Sequence, residues 1–320
     1  MNTIKSKNFD KYKVRVPKCA RVPIESPPDL FKVPCLQLVC GAVGSGKSVY
    51  ATNLLRLMKE ANLCDKVIWI SPTHLSNSAL LREIGVEECD RLDPTEKGCV
   101  DRIIKIMDDE RDQYELDLDR RDRWRGFKKM YIDAHTSVYN FDNHDILEFT
   151  DINSGALNPE PRMTYDNACK GRPQVFAIFD DCISTKLFEC NRKMLNLALR
   201  LRHCAPLKYR PNDPERCGAL SLSCLFLVQC CKAQRGGCPK QIRANATQIV
   251  LIGKTSSKKE LDDIQDQISG QVDPDDFEAA REYALQGPHD SLLIDLLPKD
   301  DVPSIFRKGL AEYILPRNKE

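Results

Sequence analysis

The run Gly41-Ala42-Val43-Gly44-Ser45-Gly46-Lys47-Ser48 constrains the fold more than any other stretch of this chain. Residues 36–40 before it are continuously apolar, as in a buried strand, and residues 49–60 after it carry Tyr50, Leu54, Leu57 and Met58 at helical spacing. A strand that runs into a glycine-rich turn and out into a helix aims several backbone N–H groups at one point. The helix start adds partial positive charge there, so the site suits a phosphate chain. Gly41, Gly44, Ser45, Gly46, Lys47, Ser48 and Val49 are therefore the expected nucleotide-binding residues. Lys47 is expected to reach the β- and γ-phosphates of ATP, and Ser48 to hold a bridging Mg²⁺. The alternative is a fortuitous glycine-rich turn, against which every fixed position of the pattern matches in strand–turn–helix order.

A chain of 320 residues, 30% charged and 7% aromatic, is long enough for one large α/β domain or two smaller ones, each with a real core. No apolar run approaches the roughly 20 residues of a spanning helix, and the basic N-terminus lacks the apolar stretch of a secretory signal. Neither a membrane span nor secretion is expected. The 15 cysteines include no C-x-x-C pair. Buried reduced thiols such as Cys40, Cys182 and Cys224 account for them better than disulfides. Cys230, Cys231 and Cys238 with His203 and Cys204 match no zinc spacing.

The net charge of +1 hides a strong segregation. Residues 192–259 hold 14 Lys/Arg against 2 Asp/Glu, residues 83–123 hold 8 against 15, and residues 260–302 hold 2 against 13. Such asymmetry suggests a surface that faces a polyanion, or charge matching between domains or subunits, and the two are compatible.

Residues 1–32 are polar, basic and proline-punctuated, an extended arm. Residues 33–302 form the expected domain and residues 303–320 a C-terminal tail. Strands are expected at 36–40, 66–70, 175–181, 220–229 and 247–253, with a strand-like segment at 291–296. Residues 71–173 read as an insertion into the core. Its segment 95–125 is an amphipathic helix, with most of its alternating charges a solvated face. Helices are also expected at 186–202, 257–269 and 273–285. Strands separated by helices predict an α/β fold, a central parallel sheet covered on both faces. Ligands then bind beyond the carboxyl ends of the strands, where Lys47, Asp180 and Gln229 fall.

The second chemical signal is Val175-Phe176-Ala177-Ile178-Phe179-Asp180-Asp181. An apolar strand that delivers a carboxylate at its end suits a Mg²⁺-binding acid, Asp180, followed by Asp181 as a general base for an attacking water. The alternative is a strand that simply ends in two acids. Gln229, at the tip of another apolar strand, is either a hydrogen-bonding partner of the γ-phosphate or attacking water, or a strand's ordinary polar stop. Gln234, in the following loop, is the weaker candidate. Lys232, Arg235 and Lys240 are candidates for contact with a polyanion, or for meeting the acidic C-terminal segment of a neighbour.

Together, Gly41 to Ser48, Val175 to Asp181, Arg202-His203, Gln229 and Ile242-Arg243-Ala244-Asn245 resemble the HerA/FtsK-type ATPases. More narrowly, the chain looks like the poxvirus-type genome-packaging ATPases of large DNA viruses, virophages and Maverick/Polinton elements. The resemblance covers residues 34–252. It implies a P-loop NTPase of the additional-strand type, with strand 220–229 inserted between the phosphate-loop strand and the Asp180 strand. It also implies a homo-oligomeric ring, hexameric or pentameric, that pumps double-stranded DNA and works with capsid or portal components. The polyanion met by Lys232, Arg235 and Lys240 is then, by this resemblance, the DNA backbone. The implied location is a cytoplasmic or nuclear virus factory of the host cell, or the virion. By the same resemblance Arg202 is the first candidate for an arginine finger acting across a subunit boundary, with Arg200 second; the alternative is a surface cation near a helix C-terminus. Many members of the wider superfamily carry glutamate where Asp181 stands, whereas Asp-Asp is frequent in the packaging branch. Competing functions are another HerA/FtsK-like translocase or helicase, and a P-loop kinase, for which the chain lacks a lid pattern of arginines. A GTPase would need Asn-Lys-x-Asp, which is absent between Gly41 and Ile252.

Overall fold

Strands that are apolar on both sides need helices over both faces of their sheet. A computed structural model of the protein describes residues 26–27, 29–73, 78–133, 141–182, 185, 187–188, 192–208, 210, 213–230, 238–253, 258–270 and 272–315. Its strands are β1 (Leu36–Gly41), β2 (Lys66–Ile70), β3 (Arg91–Leu92), β4 (Val175–Asp180), β5 (Ala205–Pro206), β6 (Ala219–Leu220), β7 (Leu222–Val228), β8 (Gln248–Ile252), β9 (Ser291–Asp295), β10 (Phe306–Lys308) and β11 (Glu312–Ile314). The helices are α1 (Lys47–Glu60), α2 (Ser78–Glu83), α3 (Cys99–Lys128), α4 (Asn143–Phe149), α5 (Arg192–Leu199), α6 (Lys240–Ala244), α7 (Lys258–Ile268) and α8 (Pro274–Ala284).

Nine strands form one sheet in the order β11-β10-β9-β8-β1-β7-β4-β2-β3, while β5 and β6 pair separately. From β8 to β3 all neighbours are parallel. β7 lies between β1 and β4, with Leu36 opposite Cys224 and Val175 opposite Leu222. The additional-strand P-loop architecture is therefore present.

Alternation along each strand sorts the side chains into two cores. Leu38, Ala177, Phe179, Cys224, Phe226 and Leu251 pack with the apolar faces of α3, α5, α7 and α8. Val39, Trp69, Ile178, Leu225 and Val250 pack with Tyr50, Leu54, Leu55 and Met58 of α1 and Leu81 of α2. Phe31 and Val33, at the end of the N-terminal arm, join this second core. Lys32 Nζ donates to the Pro298 carbonyl at 2.8 Å and Lys299 Nζ to that of Ser26 at 3.0 Å, pinning the end of the arm to the loop after β9.

Three expectations change. First, the sheet continues past residue 302: β9 adds antiparallel to β8, and β10 and β11, from the segment expected as a tail, extend that edge. Second, α3 is amphipathic and most of its charges are exposed, as expected, but a few of them are buried or paired with remote residues. Val100, Ile103, Met107, Tyr114 and Leu118 pack in the sheet's core, while Trp124 and Phe127 form a small separate core with Phe149 of α4. Lys66 Nζ lies 3.2 Å from Asp90 and 3.4 Å from Glu110, both buried. Arg216, buried, pairs with Asp119 and Asp122 at 2.9 Å each, and Lys208 pairs with Glu115 at 3.0 Å. Lys193 meets Asp101 at 2.7 Å and Arg210 meets Asp119 at 2.8 Å. Part of the basic segment thus neutralises the acidic α3 within the same chain, which is one source of the charge segregation. Third, Cys182 and Cys224 are buried free thiols as expected, but Cys40 is disulfide-bonded. Among the described residues, no helix is long and apolar enough to cross a membrane.

Candidate nucleotide-binding site

Gly44 (φ 75°) and Gly46 (φ 99°) turn the chain between β1 and α1 through the left-handed region, which other residues enter at a cost of about 1–2 kcal/mol. Gly41 is constrained by space instead. A Cβ there would lie 2.5 Å from Ser45 Oγ and 3.0 Å from the Ile252 carbonyl oxygen. Ser45 is buried, and its hydroxyl meets no hydrogen-bond partner among the described residues. Val43 and Val49 are exposed on either side of the loop.

Lys47 is buried and folds back over the loop, its Nζ donating to the carbonyls of Gly41 and Ala42 at 3.0 Å each. Ser48 Oγ donates to Asp180 Oδ2 at 3.1 Å, joining the first turn of α1 to the end of β4. Thr52 Oγ1 donates to the Ser48 carbonyl at 2.7 Å one turn later. Burial pushes the Asp180 carboxyl up to about 6 and the charge of Asp181 adds to the rise, while the Ser48 hydroxyl and the Lys47 ammonium oppose it. The Ser48 hydroxyl and Asp180 carboxylate are hard oxygen donors in mutual contact, and the buried carboxylate lacks enough positive charge to stay at its ordinary value. This donor set fits Mg²⁺.

Asp181 is the first residue past β4. It takes a left-handed conformation (φ 51°) that ends the strand, and its N–H reaches the Leu227 carbonyl of β7 at 3.3 Å. Its side chain is exposed. Gln229 follows Val228, the register partner of Cys40, so it emerges beside Gly41 with an exposed side chain. The insertion of β7 thus brings Gln229, the phosphate loop and the Asp180-Asp181 pair to one end of three adjacent strands.

Arg202 sits on a 3₁₀ turn, Leu201–His203, that follows α5, and it is exposed. No hydrogen bond or ion pair joins it to a described residue of the phosphate loop. Arg243 and Asn245 brace their own turn, Arg243 Nε donating to the Cys238 carbonyl at 3.1 Å and Asn245 Nδ2 to that of Gln241 at 2.7 Å. Lys240 is exposed at the start of α6, whereas Cys231, Lys232, Gln234 and Arg235 lie outside the described residues. Among those that are described, His203, Cys204, Cys230 and Cys238 do not converge on a common point.

One contact has no local sequence signal. His289 Nδ1 lies 3.0 Å from the Ser45 carbonyl oxygen. An antiparallel strand begins where its parallel neighbours end, so the residues before β9 fall on the ligand edge of the sheet. Recognition of β9 as a sheet strand would have pointed to them.

No protein-family model and no curated protein matches this sequence. Among solved structures, the chain is similar to the genome packaging NTPase B204 from Sulfolobus turreted icosahedral virus 2 in complex with AMPPCP, at 11% identity and a TM-score of 0.42, covering 90% of this chain and 100% of that one. The same NTPase in complex with ATP-gammaS aligns at 13% identity and a TM-score of 0.35 over 86% of this chain and 96% of that one. The pCW3 conjugation coupling protein TcpA, in its monomer form with ATPgS, aligns at 13% identity and a TM-score of 0.38, over 87% of this chain and 60% of that one.

Proposed function

We propose that this protein is an ATP-hydrolysing motor that translocates double-stranded DNA, acting as a ring of identical subunits that packages a viral genome into a preformed capsid. The seat of β7 carries this reading. A strand that leads into Gln229, inserted between the phosphate-loop strand and the Asp180 strand, is the arrangement implied by the resemblance of the sequence to HerA/FtsK-type packaging ATPases.

In this mechanism the loop N–H groups of residues 44–49 and the Lys47 ammonium bind the phosphates. Lys47 exchanges the carbonyls of Gly41 and Ala42 for phosphate oxygens. Ser48 and Asp180 would hold Mg²⁺, which supplies positive charge against the β- and γ-phosphates. Asp181, exposed at the strand end, accepts the proton of the attacking water, and Gln229 orients that water or the γ-phosphate. Arg202, exposed and without a hydrogen bond or ion pair to the described residues of its own loop, serves the site of the neighbouring subunit, where a guanidinium offsets charge developing on the γ-phosphate. Lys232, Arg235 and Lys240 track the DNA backbone. Residues 33–302, with the insertion 71–173, form the motor domain, and capsid or portal components are the partners in a virus factory or virion.

The test is ATP hydrolysis with and without double-stranded DNA at low salt. Stimulation by DNA that fades steeply as salt rises, and disappears in Lys47→Ala, is the expected result. Absence of both stimulation and nucleotide-dependent assembly overturns the proposal.

A further inference from the structure

We infer that His289 is a positioning residue of the phosphate loop, holding the Ser45–Gly46 peptide in the orientation that receives a nucleotide; this rests on the nucleotide site proposed above. A carbonyl oxygen can only accept, so the ring Nδ1, 3.0 Å from the Ser45 oxygen, is the donor. In a planar trans peptide the carbonyl and the next N–H point in opposite directions. Tethering the Ser45 oxygen to His289 therefore directs the Gly46 N–H away from the histidine. Loss of the tether leaves this peptide free to flip, because Gly46 adopts positive φ without a side chain to resist rotation.

The histidine is itself held. Gly287 N–H donates to Asp290 Oδ2 at 2.7 Å, closing the turn that carries it. Gly253 N–H donates to the Asp290 carbonyl at 2.9 Å, and Ser291 pairs with Ile252 of β8. The ring also stands over Gly46: a Cβ on that glycine would approach Nδ1 to 3.6 Å. The antiparallel extension of the sheet thus has a role at the site, since it delivers a donor to the loop from almost the opposite end of the chain.

The experiment compares His289→Leu with His289→Asn in the full chain, by titration with ADP and by thermal unfolding without nucleotide. Asparagine keeps an N–H donor at the Nδ1 place and leucine does not. One hydrogen bond lost from the loop corresponds to about fivefold weaker binding. The expected result is about fivefold weaker ADP binding in His289→Leu, near wild-type affinity in His289→Asn, and unfolding temperatures within about 2 °C of the wild type for both. Wild-type affinity in His289→Leu overturns the inference, as does equal weakening in the two variants. Failure of the wild type to bind ADP overturns the nucleotide site itself, and the inference with it.

Discussion

Replacing Asp180 by asparagine should stabilise the nucleotide-free protein while disabling it. Asp180 is 5% exposed, and its carboxyl rises from 3.8 to about 6, chiefly through burial and then through repulsion from Asp181. Because the folded value lies above the unfolded one, the group favours folding when protonated. That contribution is complete below about 3.8 and is lost as the pH rises through about 6. At pH 8 the folded protein therefore holds a buried carboxylate at a cost of roughly 3 kcal/mol. Asparagine removes the charge and keeps an oxygen that can accept from Ser48. With an unfolding entropy of about 2.1 cal/mol/K per residue, roughly 3 kcal/mol across 320 residues corresponds to about 4 °C in Tm. Circular dichroism melts in EDTA at pH 8 and pH 4 read this out. We expect Asp180→Asn to melt about 4 °C above wild type at pH 8 and level with it at pH 4. With Mg-ATP at pH 8 the order should reverse, since only the wild type gains stability from the ligand. Equal melting temperatures at pH 8, or the same gain at both pH values, would refute an unfavourably buried charge at this position.

Other substitutions probe separate parts of the molecule. Gly41→Ala drives a methyl group against Ser45 and the Ile252 carbonyl, and should cost about 1–3 kcal/mol in urea unfolding together with ADP affinity; an unperturbed variant would mean that the loop yields. Lys66→Met strands the buried carboxylates of Asp90 and Glu110, an expected loss of about 3–5 kcal/mol, measured in the same way. Arg202→Ala and Asp181→Asn should each abolish ATP hydrolysis, whereas mixing the two should restore part of it if Arg202 serves a neighbour's site. No recovery at any mixing ratio counts against the trans role.

The parts of the site legible in the sequence are those whose geometry is written in consecutive residues. A glycine turn between an apolar run and a helix, and an apolar run that ends in Asp180-Asp181, each announce themselves locally. The position of β7 does not. Nothing in residues 222–228 says which strands they will lie between, and only the resemblance of the whole constellation supplied it. The few α3 charges that are paired rather than solvated could not be picked out because their partners are remote: the Glu115 carboxylate accepts from the Lys208 N–H at a separation of 93 residues. β10 and β11 have three residues each, too short for any period to register. His289 is invisible for the same reason as β7, since its partner is 244 residues away.

The pairing of β1 also bears on how the chain is born. Both of its neighbours come late: Cys35 N–H donates to Ser223 Oγ across 188 residues, and Leu36 N–H to Thr247 Oγ1 across 211. While the ribosome is still adding residues before Leu222, the first strand has emerged with two bare edges, the form of strand most exposed to wrong partners. Loop-closure entropy makes such distant pairings slow to form. The phosphate loop, anchored at the end of that strand, can therefore take shape only after residues 222–252 have been made. A nascent chain that stops short of Leu222 carries every residue of the glycine run and still lacks both strands that hold its loop in place.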